Sequence, residues 1–524
     1  MKSKRLILFI FFLSVLIYSC TKLYETEGSN LTAQQVADNN LSANLLQSAY
    51  YSLELPFANY EEVFALSELT TDEAIAPTRG NNWDDNGQWR VLHQQIWDPN
   101  NAVLNTCFQN LGGAIFSATD VLQQQYKATG QQQAEARFIR AWAMYWMLDL
   151  FDQIPYRDPG ESLAGPARVR KGTDALNYII NEINAIEDSL PGLPAGKANK
   201  YAAMALLMKC YLNKAVYINR ANPMPAPTDM NMVIRLADSI IKSGAFSLPK
   251  NYFDNFAPDN GDPTVGTENI FAQLPSSTGN NKTATAWIDV AANYSGYECA
   301  DGYATLSNFY DKFDSNDQRR GIPYTYPGSY PNTGNRVNVG FLFGQQYDLT
   351  TDAPLFDNQQ FFDSVIYTRE VQNIDTGSHV YMEGIRPLKY APALNNFYGE
   401  PNNNFVYLRF ADVLLMKAEA ISRGGTGTPA GIYGDNATAI VNAIRTDSSR
   451  RASPISLVTL DSLYDERGRE MWWEGWRRQD MIRFKTFLSP FQQKEYVSDP
   501  KYLLFPIPYD QVLLDSNYKQ NPGY

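Results

Sequence analysis

Three stretches concentrate aromatic, charged and amide side chains. The first, SELTTDEAIAPTRGNNWDDNGQWR (67–90), sets Trp83 and Trp89 beside Asp72, Arg79, Asn82 and Asp84. The second, NKTATAWIDVAANYSGYECADGY (281–303), carries Trp287, Tyr294 and Tyr297. The third, ERGREMWWEGWRRQDMIRF (466–484), holds three tryptophans, three glutamates and five arginines in nineteen positions. Flat aromatic rings meet the C–H face of a sugar, and planar amides, carboxylates and guanidinium groups meet its hydroxyls. Binding of this kind requires neither a catalytic residue nor a cofactor. The 33 tyrosines point the same way, toward surfaces that meet sugars or peptides in water.

The main regular carboxylate array is Glu466, Glu470 and Glu474, at four-residue steps. A glycoside hydrolase needs two carboxylates about 5 to 10 Å apart across a bond, whereas this row lies along one side of a helix and reads as scaffold. Catalytic activity is therefore not expected. Only His93 and His379 occur, far apart, which leaves almost no material for histidine metal sites or Ser-His and Cys-His catalysis. The acidic loop PDNGDP (258–263) lacks the spacing of an EF-hand, so structural Ca²⁺ is not predicted, and no other cofactor is implied. The formal charge of −12, with no Lys/Arg run beyond the extreme N-terminus, excludes nucleic acid as a partner.

Preorganised binding residues belong on loops over a rigid scaffold. Pro77, Gly80 and Gly87 mark the first stretch as such a loop. The competing reading is that its tryptophans merely plug the loop onto the helices. Helical periodicity runs through 32–53, 100–127, 131–151, 172–190, 199–219 and 230–244, and returns at 405–425 and 437–449. The 131–151 segment is apolar on nearly every side and should be buried, ending before Pro155 and Pro159. Between 245 and 404 the chain is rich in Gly, Asn, Pro, Asp and Tyr without sustained periodicity. The tetrapeptide LLMK recurs at 206–209 and 414–417 within Ala-rich helices, as in tetratricopeptide-like helix pairs.

The stretch 466–484, taken as one helix, would place Glu474 and Arg478 as an i,i+4 pair and Trp472 with Trp476 on another face. Gly475 would then mark a closely packed neighbouring backbone. Charged rows alternating with bulky aromatics suit locking between helices better than a flat platform.

The N-terminus, MKSKRLILFIFFLSVLIYSC, has a basic start and an apolar run from Leu6 to Ile17, too short for the roughly 20 residues of a membrane span. It reads as a secretory signal over 1–19. Its end, LIYSC, resembles a lipoprotein box with Cys20 as the lipidated new N-terminus, followed by a tether over 20–30. Loss of Lys2, Lys4 and Arg5 takes the formal charge from −12 to −15, so the acyl chains, not anionic lipid, would supply membrane attachment. Of the remaining cysteines, Cys107 and Cys210 fall in apolar helical patterns and read as buried thiols, and Cys299 lies in an aromatic loop.

Four motifs carry a family resemblance: ARFIRAWAMYWMLDLFDQIPY (136–156), YLRFADVLLMKAEA (407–420), ERGREMWWEGWRRQDMIRF (466–484) and LLFPIPYDQVLLDSNYKQNPGY (503–524). Together with the lipoprotein signal they resemble the SusD/RagB family of nutrient-uptake outer-membrane lipoproteins, in the family's order along the chain. The resemblance implies a mostly α, tetratricopeptide-like scaffold over 31–244 and 405–524, one unit interrupted by a loop-rich insertion at 245–404. It also implies attachment to the outer membrane facing the exterior, a SusC-like TonB-dependent transporter as partner, and an oligosaccharide or polysaccharide cargo. RagB-like members suggest peptide as the alternative. The residues expected to touch a ligand are Asp72, Arg79, Asn82, Trp83, Trp89, Trp287, Tyr294 and Tyr297.

Overall fold

The computed structural model describes residues 40–80, 82–275, 301–327, 329, 331–349, 351–357, 363–374, 380–391 and 403–524. Cys20, Trp287, Tyr294, Tyr297, Cys299 and His379 lie outside the described residues.

The chain is mostly α. Its principal helices are α1 (Leu41–Tyr51), α2 (Ala102–Val121), α3 (Gly130–Phe151), α4 (Gly172–Asn184), α5 (Lys200–Ile218), α6 (Pro227–Ser243), α7 (Phe410–Ser422), α8 (Ala437–Arg445), α9 (Leu460–Met471) and α10 (Arg477–Arg483). Local signals set their ends. Asn101 caps α2 by accepting from the Val103 and Leu104 N–H groups, and Thr129 forms a capping box with Gln132 at the start of α3. Each such cap contributes about 1 kcal/mol. Pro227 opens α6, and Gly244, at φ 66°, closes it.

Neighbours along the chain are neighbours in space: α2 packs on α3, α3 on α4, α4 on α5 and α5 on α6. The next partner of α6 is α7, which in turn carries α8 and α9. The scaffold thus stacks as tetratricopeptide-like helix pairs, with α6 ending at Ser243 and α7 starting at Phe410. The α3 helix is buried from Phe138 to Phe151 on all sides, as its apolar pattern predicts. Both LLMK lysines are buried and paired: Lys209 with Asp412 at 2.7 Å and Lys417 with Asp238 at 2.6 Å. Cys107 and Cys210 are buried free thiols. Among the described residues no helix is long and apolar enough to cross a membrane.

Between 245 and 404 the described residues form short strands, turns and helical pieces of three to five residues. Gly321–Ile322, Val339–Leu342 and Arg386–Leu388 make a three-stranded antiparallel sheet. Asn269–Gln273 pairs with Phe405–Arg409, so the helical pattern at 405–425 begins with a strand and becomes helix only at Phe410. The cause is packing: all five residues of each strand are buried.

The 466–484 stretch is two helices and not one. After α9 the backbone extends at Trp472, Trp473 turns to φ 60° and Gly475 to φ 77°, and α10 starts at Arg477. Gly475 is there for its left-handed backbone, since a Cβ on it would meet nothing within 4 Å. The Glu474–Arg478 pair therefore does not form. Glu474 instead binds Lys389 at 2.6 Å and Arg409 at 2.8 Å, and Arg478 binds Asp149 at 3.0 Å. Glu470 receives Arg409 at 2.7 Å, Arg450 at 2.6 Å and Arg319 at 3.0 Å. Glu466 receives Arg319 at 2.7 Å and Arg445 at 2.6 Å. Burial alone would raise these two carboxyls, but the facing guanidinium groups hold Glu466 at about 2 and Glu470 well below its ordinary value. The stretch is scaffold, as its alternation of charged rows and bulky aromatics suggests, through a break that turns its charges toward other segments.

Candidate functional site

The loop that follows the buried helix Val63–Glu68 is fixed at its root by that charged region. The Glu68 carboxylate accepts the Gly475 N–H at 2.5 Å, and Glu73 accepts the Trp473 N–H. Ala74–Ile75 then pairs with Ala304–Thr305. This two-residue ladder laces the first candidate loop to the end of the second stretch. Arg79 tightens the junction: its Nε donates to the Gly302 carbonyl at 2.9 Å and its Nη1 to the Glu383 carbonyl at 3.0 Å. Arg79 and Asn82 also exchange backbone hydrogen bonds of 2.8 Å, which closes the loop tip.

At that tip Trp83 has φ 62°. A bulky residue in the left-handed region costs roughly 1 to 3 kcal/mol and persists only where its surroundings hold it. The surroundings are rings: Tyr303 at 5.4 Å, Tyr60 at 5.5 Å and Trp89 at 5.9 Å between centroids. Trp83 keeps 9% of its surface open, and Trp89, beneath it, keeps 2% and donates its indole N–H to Asp85 at 2.6 Å. Asn82, Asp84, Asp85 and Asn86 are exposed around the nest. Arg90 braces the same rim through Asp84 at 2.7 Å and through Thr78.

The predicted residues thus separate. Trp83, Trp89, Asn82 and Arg79 come together, with Trp83 and Asn82 nearest solvent and Trp89 and Arg79 enclosed below. Asp72 does not join them. It forms a two-point pair with Arg477, at 2.7 and 2.8 Å, beside Lys312. Burial pushes the Asp72 carboxyl up, but Arg477 and Lys312 more than offset this and leave it below its ordinary value. Tyr60 and Tyr303 complete the nest and were not singled out by sequence. Tyr303 ends the second aromatic stretch, so a signal existed; Tyr60, between two short helices, had none.

Among the described residues no group of three or more His, Cys, Asp or Glu is placed to hold a metal ion. His93 is buried, with its ring nitrogens on the Leu69, Ala74 and Gln492 carbonyls, and burial lowers it to about 4.

Residues 218–524 match the model of the SusD family. The starch-binding protein SusD of Bacteroides thetaiotaomicron is 26% identical over 515 residues, covering 89% of this chain and 86% of that protein. SusD-like protein P2 of Formosa agariphila is 23% identical over 472 residues, covering 84% of this chain and 82% of that protein. Among solved structures, a SusD superfamily protein from Parabacteroides distasonis aligns with a TM-score of 0.71 at 18% identity, covering 94% of this chain and 100% of that one. Surface glycan-binding protein A from Bacteroides thetaiotaomicron, in complex with laminarihexaose, aligns with a TM-score of 0.66 at 17% identity, covering 92% and 99%. At these identities the structural likeness establishes a shared fold.

Proposed function

The chain belongs to the SusD family, and from that premise we propose that it binds oligosaccharides or polysaccharides without cleaving them and delivers them to a SusC-like TonB-dependent transporter for import. In this reading Cys20 carries the lipid anchor, and the protein stands on the outer membrane facing the exterior. The observation that carries the ligand assignment is Trp83, a tryptophan in a strained left-handed conformation on a nest of three other rings, beside exposed amides and carboxylates. A starch-binding relative aligned over most of the chain supports the same class of cargo.

Asn82 and Trp83 would meet the sugar, with Trp89 and Arg79 setting their position. Asp72 would act from beneath the loop by holding Arg477. Trp287, Tyr294 and Tyr297 are assigned to the same ligand on sequence grounds, as aromatic members of the stretch that ends at Tyr303, the residue packed against Trp83.

Calorimetry against a polysaccharide panel tests the reading. Trp83→Ala and Trp287→Ala should each weaken binding by roughly 1 to 3 kcal/mol. Unchanged affinity in both removes these rings from the site, retention of peptides but no glycan transfers the cargo to the peptide class, and glycan products released by the purified protein would replace capture with hydrolysis. Labelled palmitate incorporated by the wild type and lost in Cys20→Ala tests the anchor, and co-purification of a TonB-dependent barrel tests the partner.

A further inference from the structure

A cleft of about 530 Å³ opens in the region between the two scaffold halves, walled by Tyr310, Phe343 and Tyr347. Its volume falls in the range of ligand sites, roughly 300 to 1,000 Å³. Phe343 is 42% exposed and meets the half-buried Tyr310 edge-on, with centroids 5.4 Å apart. Opposite, the Arg336 guanidinium covers one face of Tyr347, 3.6 Å from its centroid, and is itself held by Asp352. A largely exposed aromatic braced on Tyr310 and standing over a preformed hollow offers a stacking surface.

The floor is rigid for a reason that lies in the charged core. Asp317 and Arg319 pair at 2.7 Å just below it, and Arg319 is anchored on Glu466 and Glu470. Gly321 and Gly340 bring two strands together there: a Cβ on Gly340 would fall 2.2 Å from the Gly321 Cα. The polar wall is fixed as well. Asn338 accepts the Tyr324 N–H at 2.7 Å, and Asn332 accepts the Arg336 N–H at 3.1 Å. A site held this way loses little conformational freedom when it binds.

The charges indicate the class of ligand. Arg320 and Arg336 face Asp317, Asp348 and Asp352 in the lining, and Arg319 neutralises Asp317 from below. No positive excess remains to favour carboxylate or sulfate groups, while rings and fixed polar groups favour a polyhydroxylated, uncharged chain. We propose that this cleft is a second carbohydrate site, taking a segment of a neutral glycan with one sugar ring stacked on Phe343, and working together with the Trp83 nest on one long polysaccharide. The proposal rests on the glycan-binding reading above.

The test begins with retention of the wild-type protein on neutral glucans, mannans, xylans and galactans beside pectin and alginate. Calorimetry follows with a hexasaccharide of the glycan retained, using wild type, Phe343→Ala, Arg320→Ala, Trp83→Ala and the Trp83/Phe343 double variant, each checked by thermal melting. The expected result is two hexasaccharides per wild-type chain, one for Phe343→Ala or Trp83→Ala, and none for the double variant. Arg320→Ala should weaken the cleft site only, and polymer affinity of Phe343→Ala should fall at least about tenfold through lost bivalency. One hexasaccharide per wild-type chain, lost in Trp83→Ala and untouched by Phe343→Ala, overturns the cleft and leaves the proposed function standing. Binding lost in Phe343→Ala alone supports the cleft and removes the Trp83 nest. Retention on pectin or alginate only overturns the neutral class, and retention on no polysaccharide overturns this inference together with the proposed function.

Discussion

The 466–484 stretch and the 67–90 loop are built from the same residue types, tryptophan with arginine and acidic side chains, and they have opposite fates. In the first, Glu466, Glu470 and Glu474 each meet at least two cations from distant segments, and all three tryptophans are buried. In the second, the charged and amide groups at the tip face water, while Trp83, 9% open, and Trp89, 2% open, are buried in a ring cluster. Composition therefore does not separate scaffold from site. Whether charges find partners inside the fold does, because a buried charge without one is costly.

The sharpest way to break this contrast is to remove one carboxylate from the core. Glu470→Ala leaves Arg409, Arg450 and Arg319 with one fewer counter-charge in a region closed to water. Loss of one partner from such a buried cluster costs about 3 to 5 kcal/mol. Urea unfolding should register that loss, and a change below about 1 kcal/mol would mean that the cluster behaves like a surface array. Glu474→Ala should lower the melting temperature in the same direction, since it takes a carboxylate partner from Lys389 and one of three from Arg409.

The junction between the two regions offers a pH test. Glu73 sits where loop root and core meet, and burial pushes its carboxyl up to about 8, although Arg477 and the Trp473 N–H pull it down. Folded chains therefore keep this proton between about pH 5 and 8, whereas unfolded chains have released it. Raising the pH through that window strips a proton from the folded form only, so stability falls, and the neighbouring Glu68, which burial and Glu73 hold well above its ordinary value, adds a loss of the same sign. Between pH 6 and pH 8 the loss is on the order of 2 kcal/mol. Glu73→Gln keeps an acceptor for the Trp473 N–H and should reduce that slope to the part contributed by the buried Glu68. Identical pH profiles for variant and wild type would show that Glu73 is already ionised at neutral pH.

Much of the scaffold was legible because its determinants are local. The α3 helix declares itself by apolar residues on every side and by Thr129 and Gln132 at its start. The break at 472–476 was not, because a glycine in a helical charge pattern reads equally as close packing or as a left-handed turn, and Glu68 and Glu73, which receive the turn's N–H groups, lie some 400 positions away. Of the loop residues, Trp83 and Asn82 are singled out by type and punctuation, and the structure seats both at the loop tip. The enclosure of Arg79 could not be read that way, since its carbonyl partners are Gly302 and Glu383, and Asp72 was lost to the site for the same reason, its partner being Arg477. Charged side chains in a loop look alike in sequence until the distant group that claims them is known.

The smallest expected effect is also the most selective. Asn82 is exposed, and what ties it to the loop is its backbone exchange with Arg79, which any residue except proline can make. Asn82→Ala should therefore leave the melting temperature within error of wild type, as surface substitutions generally do. If its amide meets a ligand hydroxyl beside Trp83, the same change should cost about 0.5 to 1.5 kcal/mol of binding, a two- to twelvefold rise in Kd. A variant that lowers stability instead would assign the Asn82 side chain to loop structure. A variant neutral in both measurements would confine recognition at the tip to the Trp83 face, where stacking and not a directed hydrogen bond selects the sugar.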